Sequence, residues 1–195
     1  ARAYREGDLA VVYPVARGGA PVLVLAVSAL ALGHGASGAQ VAGVCLVVLG
    51  IVLVRGLRHP NARGVAFGAA IACCIASYTL VDKSGIEHAG PIPYLELSML
   101  IPTVGYASAV LRLKGAAAVR AAVAPGAVVA GISTFVAYTF VLAALSRASA
   151  PSVAAVRETS VVIAAALAAV VLKERVGPAR LAGAVIVVCG IALLR

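Results

Sequence analysis

The chain has 195 residues, of which 63% are hydrophobic and only 12% charged, and its mean hydropathy is +1.07. An ordinary soluble domain is about 45–50% apolar, so lipid must be the solvent for most of this surface and a water-soluble globular fold is excluded. The net charge of +9 lies mostly in short loops between apolar runs. It therefore reads as an orientation signal for membrane insertion, and nucleic acid is not expected as a partner.

Seven apolar runs follow one another, each near the roughly 17–25 residues that cross a bilayer. The first, about 9–32, carries Tyr13, Pro14, Arg17 and Pro21, and a turn at Gly33-His34-Gly35 ends it. The second covers 39–55 and is followed by the basic loop Arg58-His59-Pro60-Asn61. The third, 62–82, ends on Asp82 and Lys83, which read as an exposed helix terminus. Beyond Gly90-Pro91 the fourth run, 93–112, includes Pro102, and a basic segment separates it from the fifth, 122–146. The sixth, 150–172, begins near Pro151 and holds Arg157 and Glu158; the seventh, 178–194, follows Gly177-Pro178. Helix is the expected state throughout, because backbone in lipid must satisfy its own hydrogen bonds. The strict alternation of a membrane β-barrel is missing. Cys45, Cys73, Cys74 and Cys189 sit inside apolar runs and read as small buried hydrophobes.

The chain repeats itself at a fixed offset of 140 residues. Arg17 to Arg55 lies on Arg157 to Arg195 without a gap: Ala42-Gly43 meets Ala182-Gly183, and Gly50-Ile51 meets Gly190-Ile191. Each copy is an apolar helix, a short turn and a second apolar helix. Matching helices stand five spans apart, an odd number, so the two copies would insert in opposite directions. Duplicated membrane-helix units are a mark of secondary transporters, whose related halves face each other across a central site. Gly43 and Gly50, like Gly183 and Gly190, are seven residues apart and share a helix face, with Ala39 and Ala179 four residues before the first of each pair. These are packing stripes that let helix backbones approach closely.

In the order and texture of its spans the sequence resembles the EamA domain of the drug/metabolite transporter superfamily. The glycine-spaced segments Gly43-Val-Cys-Leu-Val-Val-Leu-Gly50-Ile51 and Gly183-Ala-Val-Ile-Val-Val-Cys-Gly190-Ile191 are similar to the final helix of its small multidrug-resistance relatives. Lys173-Glu174-Arg175 keeps the acid of the family's Gly-Glu turn, and Gly33-His34-Gly35 replaces it with histidine. The resemblance implies ten helices in two inverted five-helix repeats. On that reading residues 1–55 hold the last two helices of the first repeat, 56–61 form a linker, and 62–195 are the complete second repeat. Three helices would then precede the chain. Its one methionine, Met99, agrees with a residue 1 that is not an initiator. The expected fold is thus all-α and integral to the membrane, with seven transmembrane helices. The family keeps both ends cytoplasmic. The positive-inside rule opposes that: Arg2, Arg5, Arg55, Arg58, Arg63, Arg112, Lys114, Arg120, Lys173, Arg175 and Arg180 collect on one side, against Lys83, Arg147 and Arg195 on the other. The rule places the C-terminus outside.

Arg17 and Arg157 occupy equivalent positions about a third of the way into their helices. An ionised side chain in a span costs about 2.5–3.5 kcal/mol on insertion scales, so a duplicated cost suggests a duplicated use. Two guanidiniums near a central axis would suit an anionic or carboxylate-bearing substrate. The competing role is structural: each arginine snorkels to an interface or pairs with Glu158 or Glu96. Glu158 points about 100° away from Arg157 on a helix and would carry a coupling proton or belong to a structural ion pair. Tyr13 precedes Arg17 by four residues and shares its face. Tyr78, Tyr106 and Tyr138 lie in spans among Ser77, Thr79, Thr103, Ser133, Thr134 and Thr139. Aromatic walls with a few hydroxyls suit a cavity for a small amphipathic molecule, and helix–helix hydrogen bonding is the plainer alternative.

The expected substrate-binding residues are Arg17, Arg157, Glu158, Tyr13 and Tyr138. No Walker loop, His-Glu-x-x-His or Cys/His metal spacing is present, so neither an enzyme nor a cofactor is expected. The expected partners are a small-molecule substrate, a coupling proton and membrane lipid. The function that follows is a multi-pass permease of the cell membrane working by alternating access. The alternative is a seven-helix sensor or receptor, which leaves the repeat without a purpose; a retinal-type receptor is also disfavoured, because residues 178–194 contain no lysine for a Schiff base.

Overall fold

A computed structural model of the chain describes residues 9–30, 35–55, 62–171 and 177–194. These residues form eight helical segments: α1 (Leu9–Leu30), α2 (Gly38–Arg55), α3 (Ala62–Gly85), α4 (Pro91–Ala122), α5 (Pro125–Leu145), α6 (Ala150–Arg157), α7 (Thr159–Val171) and α8 (Pro178–Ala192). No strand occurs among the described residues. All seven predicted runs are occupied by helix, and the sixth is divided into α6 and α7 at Glu158. Val11–Leu30, Ala62–Gly85, Pro91–Ala122 and Pro125–Leu145 are long and apolar enough to cross a membrane, and Gly38–Val54 and Leu181–Ala192 are shorter apolar helices. The expectations placed on Gly33 and His34, on Arg58 to Asn61 and on Lys173-Glu174-Arg175 lie outside the described residues, as do Arg2, Arg5 and Arg195.

Local sequence explains the helix ends. Proline stands at or beside the first position of α4, α5, α6 and α8, where its missing N–H costs no intrahelical bond. A reciprocal capping box opens α2: Ser37 Oγ accepts from the Gln40 amide at 3.1 Å, and Gln40 Oε1 accepts from the Ser37 amide at 3.1 Å. The break expected after the fourth run falls at Gly115, where the backbone leaves the helical region with φ of 77° and ψ of 170°. Helix α4 runs on to Ala122 across this kink, whose positive φ suits glycine. The alanines at 116–118 are the strongest helix formers and carry the helix onward.

The chain divides into two compact units, residues 1–81 with 148–195, and residues 82–147. In the first unit α2 and α8 run antiparallel in close contact around a core of Val44, Val47, Ile51, Ala155 and Val187. The glycine stripes form this contact. A Cβ on Gly43 would stand 2.8 Å from the Gly190 carbonyl oxygen, and one on Gly190 2.8 Å from that of Gly43. A Cβ on Gly50 would meet the Gly183 oxygen at 2.6 Å, and one on Gly183 the Gly50 oxygen at 2.7 Å. The contact is reciprocal, as in a two-fold interface: position 43 meets the counterpart of 50, and 50 meets the counterpart of 43. At the start of these helices Gln40 Nε2 donates to Ser149 Oγ at 3.2 Å, and Ser149 caps α6 by accepting from the Ser152 amide.

In the second unit α4 packs on α5, with Leu95, Leu142 and Leu145 buried. Two expectations need correction. Asp82 does not end an exposed terminus: it is 7% exposed and hydrogen-bonded by two tyrosines, and Lys83 Nζ donates to the Leu145 carbonyl at 2.7 Å. The four cysteines are exposed on the helix surfaces and not buried. In a membrane protein the outer faces are apolar too, so a position inside an apolar run does not imply a core position.

Candidate functional site

Helix α1 carries Tyr13 and Arg17 on one face, four residues apart, and the Arg17 guanidinium lies 5.6 Å from the centre of the Tyr13 ring. Arg17 Nη1 meets Glu158 Oε1 at 3.4 Å, joining α1 to the break between α6 and α7. Glu158 is 3% exposed, and among the described residues its second oxygen, Oε2, has no hydrogen-bond partner. The break places it there. The Glu158 amide donates to Ala155 O at 3.0 Å, and Val161 N donates to Glu158 O at 2.9 Å. Both bonds span three residues, so the helix tightens into a 3₁₀-like turn around the acid. The equivalent point of α1 is disturbed as well, since Pro21 has no N–H to give the Arg17 carbonyl.

Arg157 has a different partner. Its Nη2 donates to Tyr78 Oη at 2.9 Å, and its guanidinium sits 5.6 Å from the Tyr78 ring centre. Tyr78 is also near enough to Arg17 to interact with its charge, and Arg157 acts likewise on Glu158. Tyr13, Arg17, Tyr78, Arg157 and Glu158 therefore form one cluster. Its formal charge is +1, from two guanidiniums and one carboxylate. The repeat is chemically unequal here, because Gly18 stands where the second copy has Glu158.

Tyr138 belongs to the second unit. Its hydroxyl donates to Asp82 Oδ2, and the Tyr94 hydroxyl donates to Asp82 Oδ1 at 3.0 Å. The ring of Tyr94 lies against Gly85 so closely that a Cβ at that glycine would displace it.

Residues 62–195 match the EamA-like transporter family. The chain belongs to this family. No curated protein and no solved structure matches it. An EamA-like chain is a membrane protein of the drug/metabolite transporter superfamily, which gives the apolar helices and the buried charges a common setting.

For an EamA-like protein the described contacts bring four of the five expected site residues together and leave Tyr138 in a second group with Asp82. Tyr78 completes the first group. Sequence flagged it only as one tyrosine among several, and its pairing with Arg157 spans two distant helices. Tyr94 and Asp82 were legible as residue types but not as partners. The hydroxyls of Thr79, Thr134 and Thr139 bond carbonyls four residues back in their own helices, at 2.8, 2.8 and 3.0 Å, so these bonds neither join helices nor point to a ligand. Tyr106 is exposed. A cavity of about 380 Å³ lies in the first unit, lined by Pro14, Val15, Gly18, Gly19, Val48 and Ala72 among others. It is apolar because α1 turns these positions away from the face that holds Tyr13 and Arg17.

Proposed function

We propose that this EamA-like protein is a permease that moves a small anionic or carboxylate-bearing molecule across the membrane by alternating access. Arg17, Arg157 and Glu158 border its central cavity, with Tyr13 and Tyr78 as aromatic walls. The observation that carries the reading is the cluster itself: two arginines and a buried acid gathered at a helix break. Discontinuous helices with charged groups at the break are how membrane carriers build midplane sites. Arg157 offers a planar fork to a substrate carboxylate. The open Oε2 of Glu158 is where a coupling proton would add.

In this proposal residues 62–195 are one complete five-helix repeat and residues 9–55 the last two helices of an inverted counterpart. The antiparallel, reciprocal glycine contact of α2 with α8 supports that arrangement. Uptake of labelled carboxylates into proteoliposomes, with and without a pH gradient, tests the function on the full-length gene product. Arg157→Gln should weaken uptake without harming insertion, and Arg157→Lys should recover it in part, because ammonium keeps the charge and loses the fork. Glu158→Gln should remove pH-driven accumulation and spare exchange. Wild-type rates in all three variants would make the charges structural.

A further inference from the structure

The second unit holds a carboxylate that the substrate cluster does not use. Asp82 is buried near the end of α3, and each of its oxygens accepts a phenol hydrogen: Oδ1 from Tyr94 on α4, Oδ2 from Tyr138 on α5. An ionised carboxylate is an acceptor only, so both phenols can donate to it at once. One acid thereby fastens three helices. The other charged or titratable groups at this end are engaged as follows. Lys83 Nζ donates to Leu145 O, His88 Nδ1 lies 3.0 Å from Ser84 O, and Arg147 Nη1 donates to Ala143 O at 3.3 Å. Glu87 lies in the turn after α3, and Glu96, two residues beyond Tyr94 on α4, is exposed.

We propose that Asp82 is a second proton-binding site, and that protonation breaks or reverses one of the two tyrosine bonds that tie α4 and α5 to the last turn of α3. A proton taken from water adds to one carboxylate oxygen, and the negative charge is lost. The phenol facing that oxygen now meets an O–H instead of an acceptor. It must reverse its role or let go, whereas the other phenol keeps its bond to the remaining carbonyl oxygen. Ionised Asp82 thus accepts from both phenols, whereas protonated Asp82 accepts from one and must donate to the other or lose it. Intramembrane carboxylates with named partners are the usual elements of proton relays. The use of this switch in transport rests on the carrier function proposed above, while its chemistry does not.

Infrared difference spectroscopy of the protein in phosphatidylcholine liposomes, between neutral and acidic buffer, tests it without any substrate. The chain has two aspartates, Asp8 and Asp82, so aspartate labelled with carbon-13 at the side-chain carboxyl singles them out. A protonated-carboxyl band that shifts with the label should rise on acidification, together with a change in the tyrosine ring bands. In an Asp8→Asn background, which leaves Asp82 as the one labelled aspartate, Asp82→Asn should remove both signals and Glu158→Gln should leave both. Tyr94→Phe with Tyr138→Phe should remove the tyrosine change and keep the carboxyl band. If Asp82→Asn does not fold, the labelled wild-type protein and the tyrosine variants decide alone. The proposal falls if the labelled band survives Asp82→Asn, or if the band rises in wild type with no tyrosine change. It falls equally if sodium chloride, compared with choline chloride at constant pH, produces the same tyrosine change, which would mark a metal-cation site. Loss of transport with these spectra intact would refute the carrier function and leave the proton site standing.

Discussion

Replacing Gly183 with alanine should destabilise this protein, although alanine is the better helix former. The added Cβ would lie 2.7 Å from the Gly50 oxygen and 2.7 Å from the Val54 nitrogen, where ordinary contact begins at 3.4 Å. Both obstacles are backbone, so no rotamer change relieves them, and α2 and α8 must separate by about 0.7 Å. Overpacking of this kind costs about 1–3 kcal/mol. The helix-propensity gain of alanine over glycine returns about 1 kcal/mol, which leaves a net loss of up to about 2 kcal/mol. Gly131→Ala is the control: it lies within α5 with nothing within 4 Å of its Cβ, so only the propensity gain of about 1 kcal/mol remains. The two substitutions should move stability in opposite directions. Gly183→Leu should cost far more than an alanine-to-leucine change on the opposite face of α8. Gly50→Ala should add little to Gly183→Ala, since helices already separated by one methyl accommodate the second. Reversible unfolding in mixed detergent micelles measures each variant. A Gly183→Ala protein as stable as Gly131→Ala would refute the close-contact argument.

Arg17→Gln should cost less than the roughly 3–5 kcal/mol of a fully buried pair, because Arg17 is one-third exposed and Arg157 still acts on the Glu158 carboxylate. Glu158→Gln should cost less still, since an amide oxygen still accepts from Arg17; the same unfolding assay compares them, and the reverse ranking refutes the pairing. Gln40→Ala keeps the Ser37 cap and removes the reciprocal bond to the Ser37 N–H and the bond to Ser149 together. It should cost about 1 kcal/mol and speed hydrogen exchange at the start of α2 and of α6. An experimental structure of the full-length protein should superpose residues 9–55 on 150–194 by a near two-fold rotation about an axis in the membrane plane. Two hairpins in the same membrane orientation would end the inverted-repeat proposal.

Helix positions were legible in the sequence because span length is set by bilayer thickness and backbone must bond to itself in lipid. The glycine stripes were legible because a missing side chain has one structural use at a seven-residue spacing, close approach. Arg17, Arg157 and Glu158 stood out through their insertion cost, and the Tyr13–Arg17 stack through its four-residue spacing. Each of these is a property of one segment or of one duplication. Partner choice is different in kind. That Arg17 takes Glu158 and Arg157 takes Tyr78 depends on which helix faces meet, and hydropathy is nearly uniform around α3 and α7, which carry or adjoin the partners. The same uniformity hid Asp82: at the end of an apolar run a charge reads as a solvated terminus, and only the arrival of Tyr94 and Tyr138 from other helices makes it a buried clamp. The exposed cysteines show the matching error, since in lipid the outer and inner faces share one composition. What the sequence determined alone was where the chain is helical and which charges stand out of place. Tertiary packing decided which groups those charges face, because in a membrane apolarity no longer separates inside from outside.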